Sequence, residues 1–205
     1  MISPTERPSL ADRRAAASRD VVLEAAWELS RLNGLMGWSL RELATAVGLA
    51  APSLYAYFES KNAIYDAMFR SSYVELEQLY AGWEPQLRDL APRVAFARAV
   101  RAFFEFCTSD PTRYQLMFQR VIPDFVPSAE AYAASLASYE RFRDQLAALG
   151  VTNDADLDLW TAIATGLTDQ QISNDPGGDR WLRLVDTAVE LFCDHAGIPR
   201  EREST

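Results

Sequence analysis

The sequence holds few of the residues from which enzyme active sites and metal centres are built. Its 205 residues include one histidine, two cysteines and one lysine. The histidine, His195, stands beside Asp194 near the chain end, where a helix C-terminus favours a cation. No nucleophile lies next to a base, and no phosphate-binding glycine loop or metal-ligand spacing occurs. These absences predict that the protein is not an enzyme and binds no metal or cofactor.

The chain also lacks long apolar runs. No stretch of about 18 uncharged apolar residues is present, which argues against a membrane span, and no apolar segment follows the N-terminal charges as in a signal peptide. Cys107 and Cys193 are far apart in apolar helical contexts, which favours buried free thiols over a disulfide or a metal site. We therefore expect a soluble, cytoplasmic protein.

The net charge of −9 is unevenly distributed. Residues 1–62 contain seven basic and seven acidic side chains, so residues 63–205 carry the whole excess of negative charge. A neutral head with clustered arginines on an acidic body is compatible with DNA binding through the head alone. Nonspecific affinity for DNA should then be modest and sensitive to salt.

Apolar periodicity predicts an all-α fold, because no strand-like alternation of convincing length occurs. Pro85 and Pro92 are expected to break the chain, and Asp110-Pro111 to open a short helix. Helices are predicted at about 10–33, 39–47, 51–57, 61–82, 128–149, 154–172 and 179–196, and a further helix that contains Val94 runs to Thr108. We place the N-terminal arm and DNA-binding head in residues 1–60 and a helical domain in residues 61–205.

The segment Ser39–Lys61 predicts two short helices with a tight turn between them. Ser39 and Glu42 have the spacing of a capping box, in which each side chain binds the other's backbone amide. Gly48 stands where the first helix must end, and Pro52 stands just inside the second. This arrangement is typical of a DNA-binding helix-turn-helix.

These residues resemble the DNA-binding half of the TetR (tetracycline-repressor-like) regulators. The resemblance covers roughly residues 14–70, and several correctly spaced motifs are far more specific than any one of them. The matching motifs are Asn33-Gly34, Ser39-Leu40-Arg41-Glu42-Leu43-Ala44, Val47-Gly48-Leu49 and Leu54-Tyr55-x-Tyr57-Phe58-x-x-Lys61. The resemblance implies a three-helix DNA-binding domain followed by a helical bundle for ligand binding and dimerisation.

The recognition helix is predicted at residues 51–57, with small residues that let its backbone enter the major groove. Tyr57 and Lys61 resemble the family's phosphate contacts, and a helix N-terminus favours an anion near Lys61. The alternatives are core packing for Tyr55 and a solvated surface position for Lys61. The arm at residues 1–9 either reaches the minor groove or is an inert tail. The predicted DNA-binding residues are Arg14, Ser39, Arg41, Ala51, Pro52, Ser53, Tyr55, Tyr57 and Lys61.

The last two helices carry wide apolar faces. By resemblance to the family, they pair with the same helices of a second copy as a four-helix bundle. The alternative is that they serve only the chain's own core. The predicted dimer interface consists of Leu157, Trp160, Ala164, Leu167, Trp181, Leu184, Val185, Ala188, Leu191 and Phe192.

The middle helices are crowded with aromatic residues. The resemblance implies a cavity among them for a small, mostly apolar effector, although each aromatic alone could be ordinary core. The predicted lining residues are Phe103, Cys107, Tyr114, Met117, Phe118, Tyr139 and Trp160.

We therefore predict a homodimeric repressor that binds a palindromic double-stranded operator and is released by the effector. The alternative is a regulator or interaction protein whose C-terminal domain binds a protein partner and has no small-molecule cavity.

Overall fold

The computed structural model describes residues 10–201, with side chains from residue 19 onward. The described part of the chain contains helices and no strand, so the predicted all-α fold class is confirmed. No described helix is long and apolar enough to cross a membrane. The helices are α1 (Leu10–Asn33), α2 (Leu40–Ala46), α3 (Ala51–Leu54), α4 (Lys61–Leu87), α5 (Pro92–Ser109), α6 (Pro111–Phe118), α7 (Ala129–Ala147), α8 (Asp154–Asn174) and α9 (Val185–Ala196), with a 3₁₀ turn at Leu182–Leu184.

Most helix ends follow from local signals. Asp110 caps α6 by accepting from the Arg113 amide at 3.1 Å, and Asn153 caps α8 by accepting from the Asp156 amide at 2.8 Å. Short polar side chains at these positions satisfy amides that have no partner inside the helix. Pro92 occupies the first position of α5, where its missing N–H costs nothing.

The prediction that Pro85 breaks the chain was wrong, because Pro85 lies inside α4 and the helix continues to Leu87. Tertiary contacts hold this last turn in place. Arg141 of α7 binds Glu77 at 2.9 Å and Glu84 at 3.0 Å, and Glu84 lies beyond residue 82, where the helix was expected to end. The proline removes one hydrogen bond from a turn that is already close to the helix end.

The last helix was predicted from residue 179, but α9 begins at Val185. Buried Gln171 of α8 explains the difference. Its Oε1 atom accepts from the amides of Trp181 and Leu182 at 2.9 and 3.2 Å. The side chain thereby satisfies two donors in a segment that is not α-helical, which removes the need for a longer α-helix there.

Replacing Gln171 with leucine should therefore destabilise the fold, because two amides lose their acceptor. We expect the free energy of unfolding to fall by about 1–3 kcal/mol, measured by urea denaturation at fixed protein concentration. The control is Gln170→Leu, an exposed neighbour whose change should stay within about 0.5 kcal/mol. Equal losses in the two variants would contradict the capping role.

Two apolar cores organise the chain. The first joins α1, α2 and α3 to α4, α6 and the start of α7. The second joins α5, α8, α9 and the end of α7. Helix α4 contributes buried residues from Ile64 to Tyr80 to the first core, and Arg141 of α7 binds Glu77 and Glu84 near its C-terminal end. A single helix thus runs from the N-terminal head into the larger bundle.

Candidate functional site

The helix-turn-helix is held by the contacts that its spacing predicts. The Ser39 amide donates to Glu42 Oε2 at 2.7 Å, and the Glu42 amide donates to Ser39 Oγ at 3.2 Å. Gly48 ends the first helix with φ of +70°, a conformation that side chains with a β-carbon rarely adopt. The Leu49 amide then donates to Ala44 at 2.8 Å and closes the turn.

The recognition helix is shorter than predicted. Only Ala51–Leu54 is α-helical, and the amides of Tyr57 and Phe58 both donate to the Leu54 carbonyl at 3.0 Å. The shared acceptor tightens the chain into a turn, which is why the helix does not reach residue 57 as expected. Small residues nevertheless remain at its start.

The residues predicted to contact DNA lie outside the buried core of the head. Leu43, Ala44, Leu54 and Phe58 are buried. Tyr55 is 56% exposed, so it does not pack in the core as the alternative proposed. The residues left exposed on this surface are Ser39, Arg41, Pro52, Ser53 and Tyr55, while Ala51 and Tyr57 are half-buried.

Arg19 is a positioning residue that the sequence did not reveal. Its Nη1 atom donates to the Tyr57 carbonyl at 2.6 Å, and its guanidinium lies 4.2 Å from the centre of the Phe58 ring. These contacts attach the turn after α3 to α1. Residues 38 positions apart give no local signal of such a contact. The Arg14 side chain and the arm at residues 1–9 lie outside the described residues.

Lys61 is held in place rather than freely solvated. Its Nζ atom donates to the Trp38 carbonyl at 2.5 Å and to the Met36 carbonyl at 3.3 Å, and it lies 4.1 Å from the Trp38 ring centre. Partial burial lowers the pKa of Lys61, and the Glu42 carboxylate opposes that change. An ammonium group has three donors, so one remains for a ligand such as phosphate.

A buried hydrogen-bond network attaches the turn that carries the Met36 and Trp38 carbonyls to α1 and α4. Trp38 Nε1 donates to Ser30 Oγ at 2.8 Å, and the Ser30 hydroxyl donates to the Ala26 carbonyl at 2.7 Å. The Tyr65 hydroxyl of α4 donates to the Leu35 carbonyl. Burial raises the pKa of Tyr65 to about 12, so the hydroxyl keeps its proton. The turn before α2 is thereby fixed to the first turns of α4.

A cavity of about 520 Å³ lies among α4, α5, α6, α7 and α8. This volume is in the range of pockets that bind small organic molecules. Eleven aromatic side chains line it, and no lining side chain carries a charge. The aromatic lining residues are Tyr73, Tyr80, Trp83, Phe96, Phe103, Tyr114, Phe118, Tyr132, Tyr139, Phe142 and Trp160.

Five of the seven residues predicted for the effector site line this cavity, but Cys107 and Met117 do not. Cys107 is buried behind the wall, and burial raises the pKa of its thiol. Met117 packs in the first core, and its carbonyl accepts from the Tyr73 hydroxyl at 3.2 Å. Tyr114 and Phe118 of α6 line the cavity, whereas Leu116 and Met117 pack in the first core, so only one of the two apolar faces of α6 meets the cavity.

The residues predicted for the dimer interface divide into two groups. Leu157, Trp160, Val185 and Phe192 are buried in this chain's second core, so they have no surface to offer a partner. Each packs inward because one face of α8 and one face of α9 cover the chain's own second core. Leu184 and Leu191 are exposed, as is Leu159, which the sequence analysis missed. The half-buried members of the predicted set are Ala164, Leu167, Trp181 and Ala188.

Comparison with known proteins agrees with this geometry. A model of the bacterial regulatory proteins of the tetR family matches residues 22–68. The HTH-type transcriptional activator FasR of Mycolicibacterium smegmatis is 30% identical over 152 residues. The match covers 73% of this chain and 66% of FasR, just under two thirds of that protein's length.

Solved structures share the fold at lower identity. A protein of unknown function from Rhodococcus sp. RHA1 has a TM-score of 0.71 at 21% identity, covering 95% of this chain and 98% of that one. The transcriptional regulator FadR from Bacillus subtilis, in complex with stearoyl-CoA, has a TM-score of 0.62 at 19% identity, covering 84% and 96%.

Proposed function

Because this chain belongs to the TetR family of transcriptional regulators, we propose that it binds a palindromic operator as a homodimer and leaves it when a small apolar molecule enters the cavity. Its relatives are regulators, and the chain is not an enzyme. The observation that carries the proposal is the path of α4. This helix begins at Lys61 on the DNA-binding surface and lines the cavity further along.

The cavity-lining residues of α4 are Tyr73, Leu76, Tyr80 and Trp83. Their spacing of three or four places them on one face of the helix. A ligand that pushes on this face moves the same rigid element that carries Lys61 and Tyr65. A change in the distance between two such heads then changes the fit to two operator half-sites. A coupling of about 1–3 kcal/mol is enough to change DNA affinity measurably.

A second connection runs through α6. Tyr114 and Phe118 of this helix line the cavity, and its cap, Asp110, binds Arg31 of α1 at 2.9 Å. Movement of α6 is therefore transmitted to the long first helix of the head as well as to α4. Two contacts between cavity and head support ligand-controlled DNA binding over the alternative of a protein-binding domain without a cavity.

Dimerisation is supported by the geometry of DNA and by the outer surface of the last helices. A single α3 of four residues reads few base pairs, so useful specificity requires two copies. Leu184 and Leu191 leave apolar side chains uncovered on one side of α9. A second copy of the chain covers them if the two-fold axis runs through α8 and α9.

The first experiment is a mobility-shift assay across a salt series with DNA from immediately upstream of the chain's own gene. We expect retardation of this fragment over a scrambled competitor, and weaker binding as salt rises. If the fragment does not bind, a genome-wide selection for bound fragments should recover a distant operator. Failure of both would contradict a DNA-reading function.

Repression and activation are distinguished in cells that lack the gene. We propose a repressor, so the transcripts beside the operator should rise on deletion. A fall in those transcripts would instead assign the role that the relative FasR has by name, a transcriptional activator.

A further inference from the structure

We propose that Trp38 is a positioning residue for DNA binding, because it holds the Lys61 ammonium group where it meets a phosphate without neutralising its charge. This inference rests on the proposed DNA-binding function and adds a residue that does not itself reach DNA. Trp38 is only 4% exposed. It stands 23 positions before Lys61, so no local sequence signal links the two.

Two carbonyls and two aromatic rings surround the Lys61 ammonium group, and we call them the Lys61 cage. The Nζ atom donates to the Trp38 carbonyl at 2.5 Å and to the Met36 carbonyl at 3.3 Å. The same atom lies 4.1 Å from the centre of the Trp38 ring and 5.4 Å from that of the Tyr65 ring. The two rings meet edge to face, with their centres 5.7 Å apart. Because the face of an aromatic ring carries negative partial charge, it attracts a cation.

The Lys61 cage contains no ionised group. Within the part of the chain that the structure describes, Lys61 forms no ion pair with a carboxylate. Glu42 acts on it only through its charge, while its carboxylate accepts from the Ser39 amide and hydroxyl, both at 2.7 Å. Arg31 and Arg113, by contrast, bind carboxylates at 2.9 and 2.6 Å. A phosphate has to compete with such a carboxylate, whereas neutral carbonyls and rings leave the positive charge available.

The Trp38 ring is itself fixed to α1. Its Nε1 atom donates to Ser30 Oγ at 2.8 Å, and the Ser30 hydroxyl donates to the Ala26 carbonyl at 2.7 Å. Ser30 and Ala26 are fully buried. The ring cannot turn away without leaving a buried indole N–H unpaired, which is costly. Trp38 thereby ties the ammonium group at the start of α4 to the position of α1.

A lysine that is held in place before DNA arrives binds more tightly than a free one. Lys61 is the first residue of α4, and Ser60 caps this helix by accepting from the Ala63 amide at 3.1 Å. The side chain is therefore fixed at its base by the helix and at its tip by the Lys61 cage. Its rotamer freedom is lost on folding and not on binding. The third N–H of the ammonium group stays free for a phosphate.

A double-mutant cycle on the operator tests whether Trp38 acts through Lys61. In the mobility-shift assay, Trp38→Leu should lower the operator affinity of the full chain about tenfold, because Lys61 is then free to move. In the Lys61→Met background the same change should alter affinity by less than about twofold. Trp38→Leu should also leave the salt slope unchanged, since the charge is still present. Equal losses in the two backgrounds would overturn the proposal.

Packing at Trp38 needs its own control, because leucine leaves a buried space there. Trp27→Leu is matched, since Trp27 is 7% exposed in the same apolar core and its ring faces Arg31 at 5.6 Å. It should leave the operator affinity of the folded protein within about twofold. Trp38→Phe keeps a ring under the ammonium group and should recover most of the lost affinity. Affinities that follow the free energy of unfolding across these variants would assign Trp38 a purely structural role.

A milder variant serves if Trp38→Leu loses helical content by circular dichroism. Ser30→Ala removes the acceptor of the indole N–H and leaves the ring in the core. In the same cycle it should lower operator affinity about threefold when Lys61 is present, since one hydrogen bond that fixes the ring is lost. It should have no effect in the Lys61→Met background. A threefold loss in both backgrounds would contradict the role of the ring.

Nuclear magnetic resonance tests the Lys61 cage without DNA. Lys61 is the one lysine of the chain, so protein grown with ¹³C-labelled lysine gives a single set of side-chain signals. The ε-methylene protons should be shifted upfield, because Nζ lies over the face of the Trp38 ring. The shift should disappear in Trp38→Leu and persist in part in Trp38→Phe. Signals at the position of free lysine in the unsubstituted protein would show that the cage does not form.

The combined results separate this inference from the function on which it rests. Shifted Lys61 signals in a protein that binds no operator would contradict the proposed function, and with it any role of Trp38 in DNA binding. Operator binding by a protein whose Lys61 signals are those of free lysine would keep the proposed function and overturn the role of Trp38.

Discussion

Leu191→Glu should convert the proposed dimer to a monomer and lower operator affinity at least about a hundredfold. Leu191 is 67% exposed on α9, on the same side as Leu184 and Ala188, whereas Val185, Val189 and Phe192 pack inward. In a two-fold interface each substitution occurs twice, so two carboxylates would be buried without partners. Loss of the second head removes half of the DNA contacts and the spacing between half-sites. Sedimentation velocity and the mobility-shift assay measure the two effects.

The matched control is Val126→Glu. Val126 is 80% exposed and lies in the loop between α6 and α7, away from α9. It adds the same charge to an exposed apolar position and should leave the sedimentation coefficient unchanged. Helical content by circular dichroism should be that of the unsubstituted protein in both variants, since neither side chain is buried in the chain. A dimeric Leu191→Glu protein would place the interface on another surface.

Lys61→Met should weaken operator binding by about a hundredfold or more. Methionine keeps an apolar stem over the Trp38 ring but removes the ammonium group. A hydrogen bond to a charged group contributes about 1.5–3 kcal/mol, and a dimer loses two of them. If each Lys61 binds a phosphate, the slope of affinity against salt falls by about two per dimer. Binding to nonspecific DNA should weaken in proportion.

Arg70→Ala is the control for this loss of charge. Arg70 lies further along α4. Its side chain is exposed and forms an ion pair with exposed Glu130 at 3.5 Å. Its removal takes away the same charge from the same helix and should change neither the salt slope nor the affinity by more than about twofold. Arg70 lies nine residues after Lys61 on α4, about 13 Å along the helix axis, which exceeds the Debye length of about 8 Å at physiological ionic strength. An unchanged salt slope in Lys61→Met would instead restrict Lys61 to holding the carbonyls of Met36 and Trp38.

The helix-turn-helix could be predicted because its signals are local. The Ser39 and Glu42 capping box, the turn at Gly48 and the start at Pro52 each depend on residues within one or two helical turns. The end of α4 and the start of α9 could not. They depend on Arg141 and Gln171, which act from other helices.

The candidate sites show the same division. The family resemblance implied a cavity among the aromatic residues, but helical spacing alone could not show which face of α6 meets it, so Met117 was placed on the wrong side. The apolar faces of α8 and α9 were found from periodicity, but periodicity does not distinguish a chain's own core from a surface for a second copy.

The sequence by itself determined the family, the all-helical class and the helix-turn-helix, because these follow from capping, turn residues, apolar periodicity and motif spacing along the chain. Only the tertiary structure decided that Arg19 and Lys61 brace the head and that the lining of the cavity carries no charge. Such features arise when helices distant in sequence pack together and decide which polar atoms are satisfied.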